Sequence, residues 1–238
     1  MTGWRAFGAS VRGPGHVASG LPNQDAWGWT RRSWGDVVVV SDGVGSKSKA
    51  EYGARAACRA VPRAVQHGHE ASKASLAEIK ARWLDNVAPF EPRDCAATCL
   101  YVVRPTSGSI TVGVLGDGLV AVTKTDGGIE YVEHSKTGSF ANITSALSDS
   151  TAEGDWRVVE FEQDQVESVT LCTDGIADDL EMEMRSAFFH SWIEHTSAIA
   201  DVTAGRHLRT SLQQWPVPRH TDDKTMACLR RADPGASS

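Results

Sequence analysis

The apolar positions of the first 45 residues read as β-strands, and from residue 47 the spacing changes to that of helices. Strands are predicted over residues 4–11, 25–31 and 36–41, with a Gly/Pro-rich connection over 12–22. Val37, Val38, Val39 and Val40 form an uninterrupted apolar run, which predicts a strand covered on both faces. Ala50, Ala54, Ala57, Val61 and Val65 then recur at helical spacing, their small side chains suited to close packing on a sheet. Pro62 is expected to kink or end that helix. A second helix is predicted from the capping pattern Ser75-x-x-Glu78 and the stripe Leu76, Ile79, Trp83 and Val87, closed by Pro89 and Pro92. Strands resume over 95–104, 109–116, 118–125 and 129–133. Residues 134–154 are polar and read as a long functional loop or flap. Strands over 156–162 and 167–173, helices over 183–200 and 203–214, and a last strand over 225–230 complete the chain.

This order argues for an α+β fold: two antiparallel sheets packed as a sandwich and flanked by pairs of helices. With 238 residues, one domain over 1–230 is expected, followed by a disordered tail over 231–238. A net charge of −6 argues against a nucleic acid or an anionic membrane as partner. No apolar stretch approaches the roughly 20 residues needed to span a bilayer. The first residues lack the layout of a secretory signal, and the five cysteines form no disulfide framework, so a cytoplasmic protein is expected. Cys95 and Cys99, about 13 Å apart if both lie on a strand, are read as core residues. The eight tryptophans are scattered, which suits core or rim packing. Nothing in the sequence marks an oligomer, and a monomer is the default.

The candidate chemistry lies in carboxylates. Asp42, Asp117 and Asp174 each follow an apolar run and precede glycine; Asp25 in Asn23-Gln24-Asp25-Ala26 and Asp222 before Asp223 add two more. An Asp-Gly pair between apolar runs is first a hairpin signal, and Asp126-Gly127 is fully explained as one. Asp117-Gly118 fits the same reading, with 111–115 and 119–123 as arms. Asp42 and Asp174 differ, because irregular or helical sequence follows them instead of a return strand. Carboxylates gathered at strand ends are tolerable only with cations among them, and all-oxygen donors select hard ions.

The five stations in this order resemble the metal-dependent protein serine/threonine phosphatases of the PP2C (PPM) family, in particular its compact bacterial branch. The resemblance runs from about Ser10 to Leu229 and implies a β-sandwich flanked by helix pairs. It implies Asp25, Asp42, Asp174 and Asp222 as ligands of two Mn²⁺ or Mg²⁺ ions, with Asp42 bridging and the Gly43 carbonyl contributing. Asp117 falls where many bacterial members hold a third ion. Thr98 matches a fixed threonine of the family, and residues 140–144 resemble its Asn-x-Thr segment. The implied reaction is hydrolysis of phosphoserine and phosphothreonine by a hydroxide bridging the two ions and attacking phosphorus in line. A phosphorylated protein is the implied partner, with a eukaryotic-like bacterial kinase or its targets as the source.

The chain also departs from the family pattern. Gln24 stands where many relatives have Glu, Gly20 where eukaryotic members place a phosphate-gripping Arg, and Val44 where some carry a proton-donating His. His16 and Arg12 are the rival candidates for gripping phosphate, and His16 for donating the proton. These departures leave two other readings open: a catalytically weak module that binds a phosphoprotein or regulates a kinase, and a β-rich interaction domain whose Asp-Gly pairs are turns. Asp178 and Asp179, ahead of a predicted helix, are read as favouring the positive end of its dipole.

Overall fold

A strand with apolar residues on both faces has to be covered twice, and this requirement organises the molecule. The computed structural model describes residues 3–67, 74–134, 145–197 and 199–232. In chain order the elements are β1 (Trp4–Val11), α1 (Pro14–Ser19), β2 (Asp25–Arg32), β3 (Gly35–Asp42), α2 (Ala50–His67) and α3 (Ala74–Val87). There follow β4 (Cys99–Pro105), β5 (Ile110–Leu115), β6 (Leu119–Lys124), β7 (Ile129–Val132), β8 (Arg157–Phe161) and β9 (Val166–Cys172). Then come α4 (Asp174–Ala177), α5 (Met182–Ser197), α6 (Asp201–Gln213) and β10 (Lys224–Arg231). One sheet has the order β1-β10-β9-β6-β7 and the other β2-β3-β4-β5-β8. Every pairing is antiparallel. The α+β sandwich with flanking helices is therefore present.

Strand alternation distributes the core among three layers of contact. Val38, Val40, Leu100 and Val102 from one sheet meet Val120, Val122, Leu171 and Leu229 from the other. Val37, Val39, Tyr101 and Val103 point the opposite way, onto Ala57, Ala60, Val61, Ile79 and Trp83 of α2 and α3. Phe7, Ala121, Cys172 and Cys228 likewise face Phe189, Ala204, Leu208 and Leu212 of α5 and α6.

Several local expectations change. α2 continues through Pro62 to His67, because Val61 and Ala64 on either side are both buried against the sheet. The strand expected over 95–104 begins at Cys99, preceded by a 3₁₀ turn over Pro92–Asp94 and an isolated bridge at Ala97. Cys95 and Cys99 are nonetheless buried free thiols, as expected. The connection over 12–22 contains α1, with Pro14 in its first turn and Gly20 in the left-handed conformation (φ 71°) at its end. That Pro-start, Gly-stop asymmetry was available in the sequence. Asp126-Gly127 is the plain turn expected: Gly127 N–H donates to the Lys124 carbonyl at 3.0 Å, closing the β6–β7 hairpin. Residues 135–144, with the Asn-x-Thr segment, and 233–238 of the tail lie outside the described residues.

The close packing of α2 rests on Gly53. A β-carbon there would sit 1.6 Å from the Cys95 carbonyl oxygen, and the Gly53 carbonyl accepts a bond from the Trp83 indole at 3.0 Å. Helix propensity favours Ala over Gly by about 1 kcal/mol. Even so, Gly53→Ala is expected to destabilise the protein by roughly 2 kcal/mol or more, because the overpacked backbones must part. Urea unfolding curves of the two proteins decide it, and an increase in stability would contradict the packing account.

β3 carries an aspartate at each end, the first buried and the second half-buried. Asp36, at its start, has no exposed surface. Its carboxylate accepts from Arg31 Nε (2.7 Å), Arg104 Nε (3.0 Å), Arg104 Nη2 (2.8 Å) and the Trp29 indole (3.3 Å). Asp42 lies about 20 Å along the same strand. Among the described residues no Lys or Arg pairs with it, and that contrast locates the candidate site.

Candidate metal centre

The residue pairing of β2 with β3 sets Asp25 directly opposite Asp42. Two carboxylates so placed repel unless a proton or cation lies between them. Asp25 is held from behind: the Thr173 hydroxyl donates to its Oδ2 at 2.9 Å, and its backbone N–H donates to Asn23 Oδ1 at 3.0 Å. Asp42 is fixed through its backbone, its N–H donating to Thr98 Oγ1 at 2.9 Å and its carbonyl accepting from Thr98 N–H at 2.7 Å. Ser41 Oγ adds a bond to the Thr98 carbonyl at 2.5 Å. Thr98 thus orients the end of β3. Gly43 follows, its N–H donating to the Gln24 carbonyl at 3.1 Å; a β-carbon on it would meet the Ala50 carbonyl oxygen at 2.3 Å.

The other sheet brings Asp174, at the start of α4 after β9, and Asp222, in the loop before β10. Asp117 stands in the link from β5 to β6. These strands belong to different sheets, so the link is a crossover and not the hairpin its sequence suggests. His16, Gln24, Asp42, Gly43, Asp117, Asp174 and Asp222 line one cavity of about 210 Å³, together with Val44, Gly45 and Thr98. Asp25, buried and opposite Asp42 on the neighbouring strand, is not among the lining residues. Arg12 is directed elsewhere: its guanidinium donates to the Leu21 carbonyl at 3.2 Å in an exposed position. The structure therefore gathers every sequence-predicted site residue except Arg12.

Asp223, passed over in the sequence, organises the rim. Its carboxylate is buried and accepts from Gly13 N–H (2.6 Å), Gln24 N–H (2.6 Å) and His16 Nδ1 (2.9 Å). A carboxylate only accepts, so Nδ1 of His16 carries a ring proton toward Asp223 and Nε2 is turned to other partners. Asp179 does not serve a helix end. It accepts from Lys224 Nζ at 2.9 Å and the Trp215 indole at 2.8 Å, with the lysine also 5.2 Å from the Trp215 ring centre. The doubled carboxylates Asp178-Asp179 and Asp222-Asp223 were visible in the sequence, but nothing there separated the member facing the cavity from the member facing a buried donor.

The electrostatics follow from burial and crowding. Burial, then the charges of Asp25 and Asp174, push the Asp42 carboxyl well above its ordinary range. Burial is the main cause at Asp25 and at Asp174, both pushed up to about 7; Asp223 adds to the first, and Asp117 and Asp222 to the second. Asp222 is raised as well, again chiefly by burial. Gln24 Oε1 is buried and, among the described residues, accepts no hydrogen bond. Among the described residues, no three His, Cys, Asp or Glu side chains already close on one point. Hard cations that keep most of their waters need few direct ligands. An all-oxygen set of carboxylates, the Gly43 carbonyl and an orphan amide oxygen fits such hydrated ions.

Metal-free protein should therefore lose stability as pH rises. Folded Asp25 and Asp174 hold protons up to about pH 7, whereas the unfolded chain releases them near pH 3.8. Their contribution is complete below about pH 4 and lost through about pH 7. Thermal melts with chelator at pH 5.5 and pH 8 should show a lower midpoint at pH 8, and Mn²⁺ should remove that drop. Equal midpoints with chelator would contradict the account of buried, crowded carboxylates.

Residues 12–215 match the family model described as protein phosphatase 2C, and the chain belongs to that family of protein phosphatases. It is similar to the serine/threonine phosphatase Stp1 from Staphylococcus aureus, at 14% identity and a TM-score of 0.65, over 98% of this chain and 96% of that one. The catalytic domain of the serine threonine protein phosphatase PstP, solved in complex with 2 manganese ions, gives 16% identity and a TM-score of 0.65, over 97% and 99%. RsbX in complex with magnesium gives 15% identity and a TM-score of 0.63, over 96% of each chain. No curated protein sequence is significantly similar. Among the described residues no helix is long and apolar enough to cross a membrane.

Proposed function

We propose that this chain is a Mn²⁺- or Mg²⁺-dependent phosphatase of phosphoserine and phosphothreonine in proteins, with two ions held by Asp25, Asp42, Asp174, Asp222 and the Gly43 carbonyl. The carrying observation is that Asp42 from one sheet and Asp174 and Asp222 from the other line one cavity, with buried Asp25 paired to Asp42 across the strands, and that among the described residues no Lys or Arg pairs with Asp42. The similar structures solved with manganese or magnesium support the choice of ions. When bound, divalent ions there would lower the pKa of water and so supply the nucleophile for attack on phosphorus. Asp117, which lines the same cavity, would hold a third ion.

The chain's own residues complete the reaction. Thr98 and Thr173 hold Asp42 and Asp25 against their mutual repulsion. Gln24 Oε1 is free to accept a hydrogen bond from a water in the cavity and so orient it. His16, aimed by Asp223, donates through Nε2 when protonated: the new bond joins phosphorus to the water oxygen, the ester P–O bond breaks, and the alkoxide takes the His16 proton. The fitting partner is a phosphorylated protein, a eukaryotic-like bacterial kinase or one of its targets, met in the cytoplasm by a monomer. Hydrolysis of an aryl phosphate and of a phosphothreonine peptide with and without Mn²⁺ tests this; turnover indifferent to metal rejects it. Gln24 in place of an acid favours a second reading, a phosphoprotein-binding module. Calorimetry would then detect phosphopeptide binding while no phosphate is released.

A further inference from the structure

Arg219 is, among the described residues, the one non-glycine residue in the left-handed backbone region, at φ 63°. Any side chain with a β-carbon resists that conformation, and a long arginine has no short polar group to offset it. The loop is held there by its neighbours. Gly15 N–H donates to the Thr221 carbonyl at 2.8 Å, and Asp223 is anchored to Gly13, His16 and Gln24. Residues kept in strained backbone by a well-braced surrounding concentrate at functional positions.

The arginine lines a second cavity, of about 230 Å³, which shares Asp174 and Asp222 with the metal pocket and adds Asp178, His220 and Lys224. The charges in it are unevenly committed. The Lys224 ammonium is taken by Asp179, Asp178 has an interaction of its own, and Asp174 and Asp222 face the proposed ions. Among the described residues the Arg219 guanidinium has no hydrogen-bond or ion-pair partner, and His220 Nδ1 is buried and unpartnered beside it. The uncommitted groups are thus one permanent cation and one ring nitrogen, next to where a phosphoryl group would sit.

We propose that this cavity is a specificity subsite in which Arg219 binds an acidic side chain lying one or two residues from the phosphorylated residue of the substrate. The proposal rests on the phosphatase reading and adds its substrate class: proteins whose phosphorylated residue has a carboxylate neighbour. A planar guanidinium suits this, since it can give a carboxylate two parallel hydrogen bonds.

The test uses the full chain with Mn²⁺ and three phosphothreonine peptides that differ only in carrying Glu, Gln or Lys at the flanking positions. Rates of each protein are normalised to its own rate on the Gln peptide. The wild type should prefer Glu over Lys by roughly five- to tenfold in kcat/KM, expressed in KM. Arg219→Gly should erase the preference while raising the melting midpoint by about 2–4 °C, because glycine accepts the left-handed backbone. Arg219→Glu should reverse the order. Equal rates of the wild type on the Glu and Lys peptides, or a preference that survives in both variants, overturn the proposal. If no protein turns over any peptide, the phosphatase reading fails, and calorimetric affinities for the same three peptides still decide the preference.

Discussion

Asp42→Asn is expected to lower metal-stimulated phosphate ester hydrolysis by about a hundred- to a thousandfold, while the metal-free variant melts no lower than the wild type. The two halves have one cause. Asp42 faces Asp25 across the β2–β3 pair and feels Asp174 from the second sheet, so its carboxylate is stabilised only by a cation. On the proposed reading, removing the charge takes away a metal ligand and with it the charge neutralisation on which phosphoryl transfer depends. In metal-free protein the same change relieves a repulsion, and the Asn amide can donate to Asp25. Thr98 continues to fix the strand end through backbone bonds that asparagine preserves. Steady-state rates with Mn²⁺ and thermal melts with chelator test both halves. Retained activity, or a steep loss of metal-free stability, would show that Asp42 merely closes its own bend.

Asp36→Ala should give the opposite result. This residue sits at the other end of β3, buried and satisfied by two arginines and an indole. Removing it leaves the guanidinium of Arg104, itself largely buried, without its counter-charge. The expected loss is about 3 kcal/mol, the lower end for a broken buried pair because Arg31 is half exposed and water screens it. The remaining folded protein should keep its kcat, since the change lies a whole strand away from the cavity. Urea unfolding at neutral pH measures the first effect and active-site-normalised turnover the second. A drop in kcat comparable to that of Asp42→Asn would undo the distinction between the two ends.

Those two aspartates also mark what the sequence could reveal. The run of four valines announced a strand buried on both faces, and the structure places Val38 and Val40 between the sheets and Val37 and Val39 beneath α2 and α3. The order of the Asp-Gly stations led to the cavity because strand ends fix where such residues go. Local pattern was silent on pairing over long range. Asp117-Gly118 reads as a hairpin, since nothing nearby shows that β5 and β6 enter different sheets. Asp222 and Asp223 are chemically identical neighbours, and only β1, arriving through Gly13, and α1, bringing His16, make one of them a buried anchor. Arg219 gave no signal, because backbone strain is a property of the folded loop.

One arrangement bears on how the enzyme meets heat and proteases. Asp25 and Asp42 hang from one sheet, Asp174 and Asp222 from the other, so any ion they share acts as a rivet through both halves of the sandwich at that end. Starved of divalent ions, the chain should begin to open there. Amide hydrogens at Asp42 and Thr173 would then exchange with solvent sooner than those of Val38 or Val169, deep between the sheets.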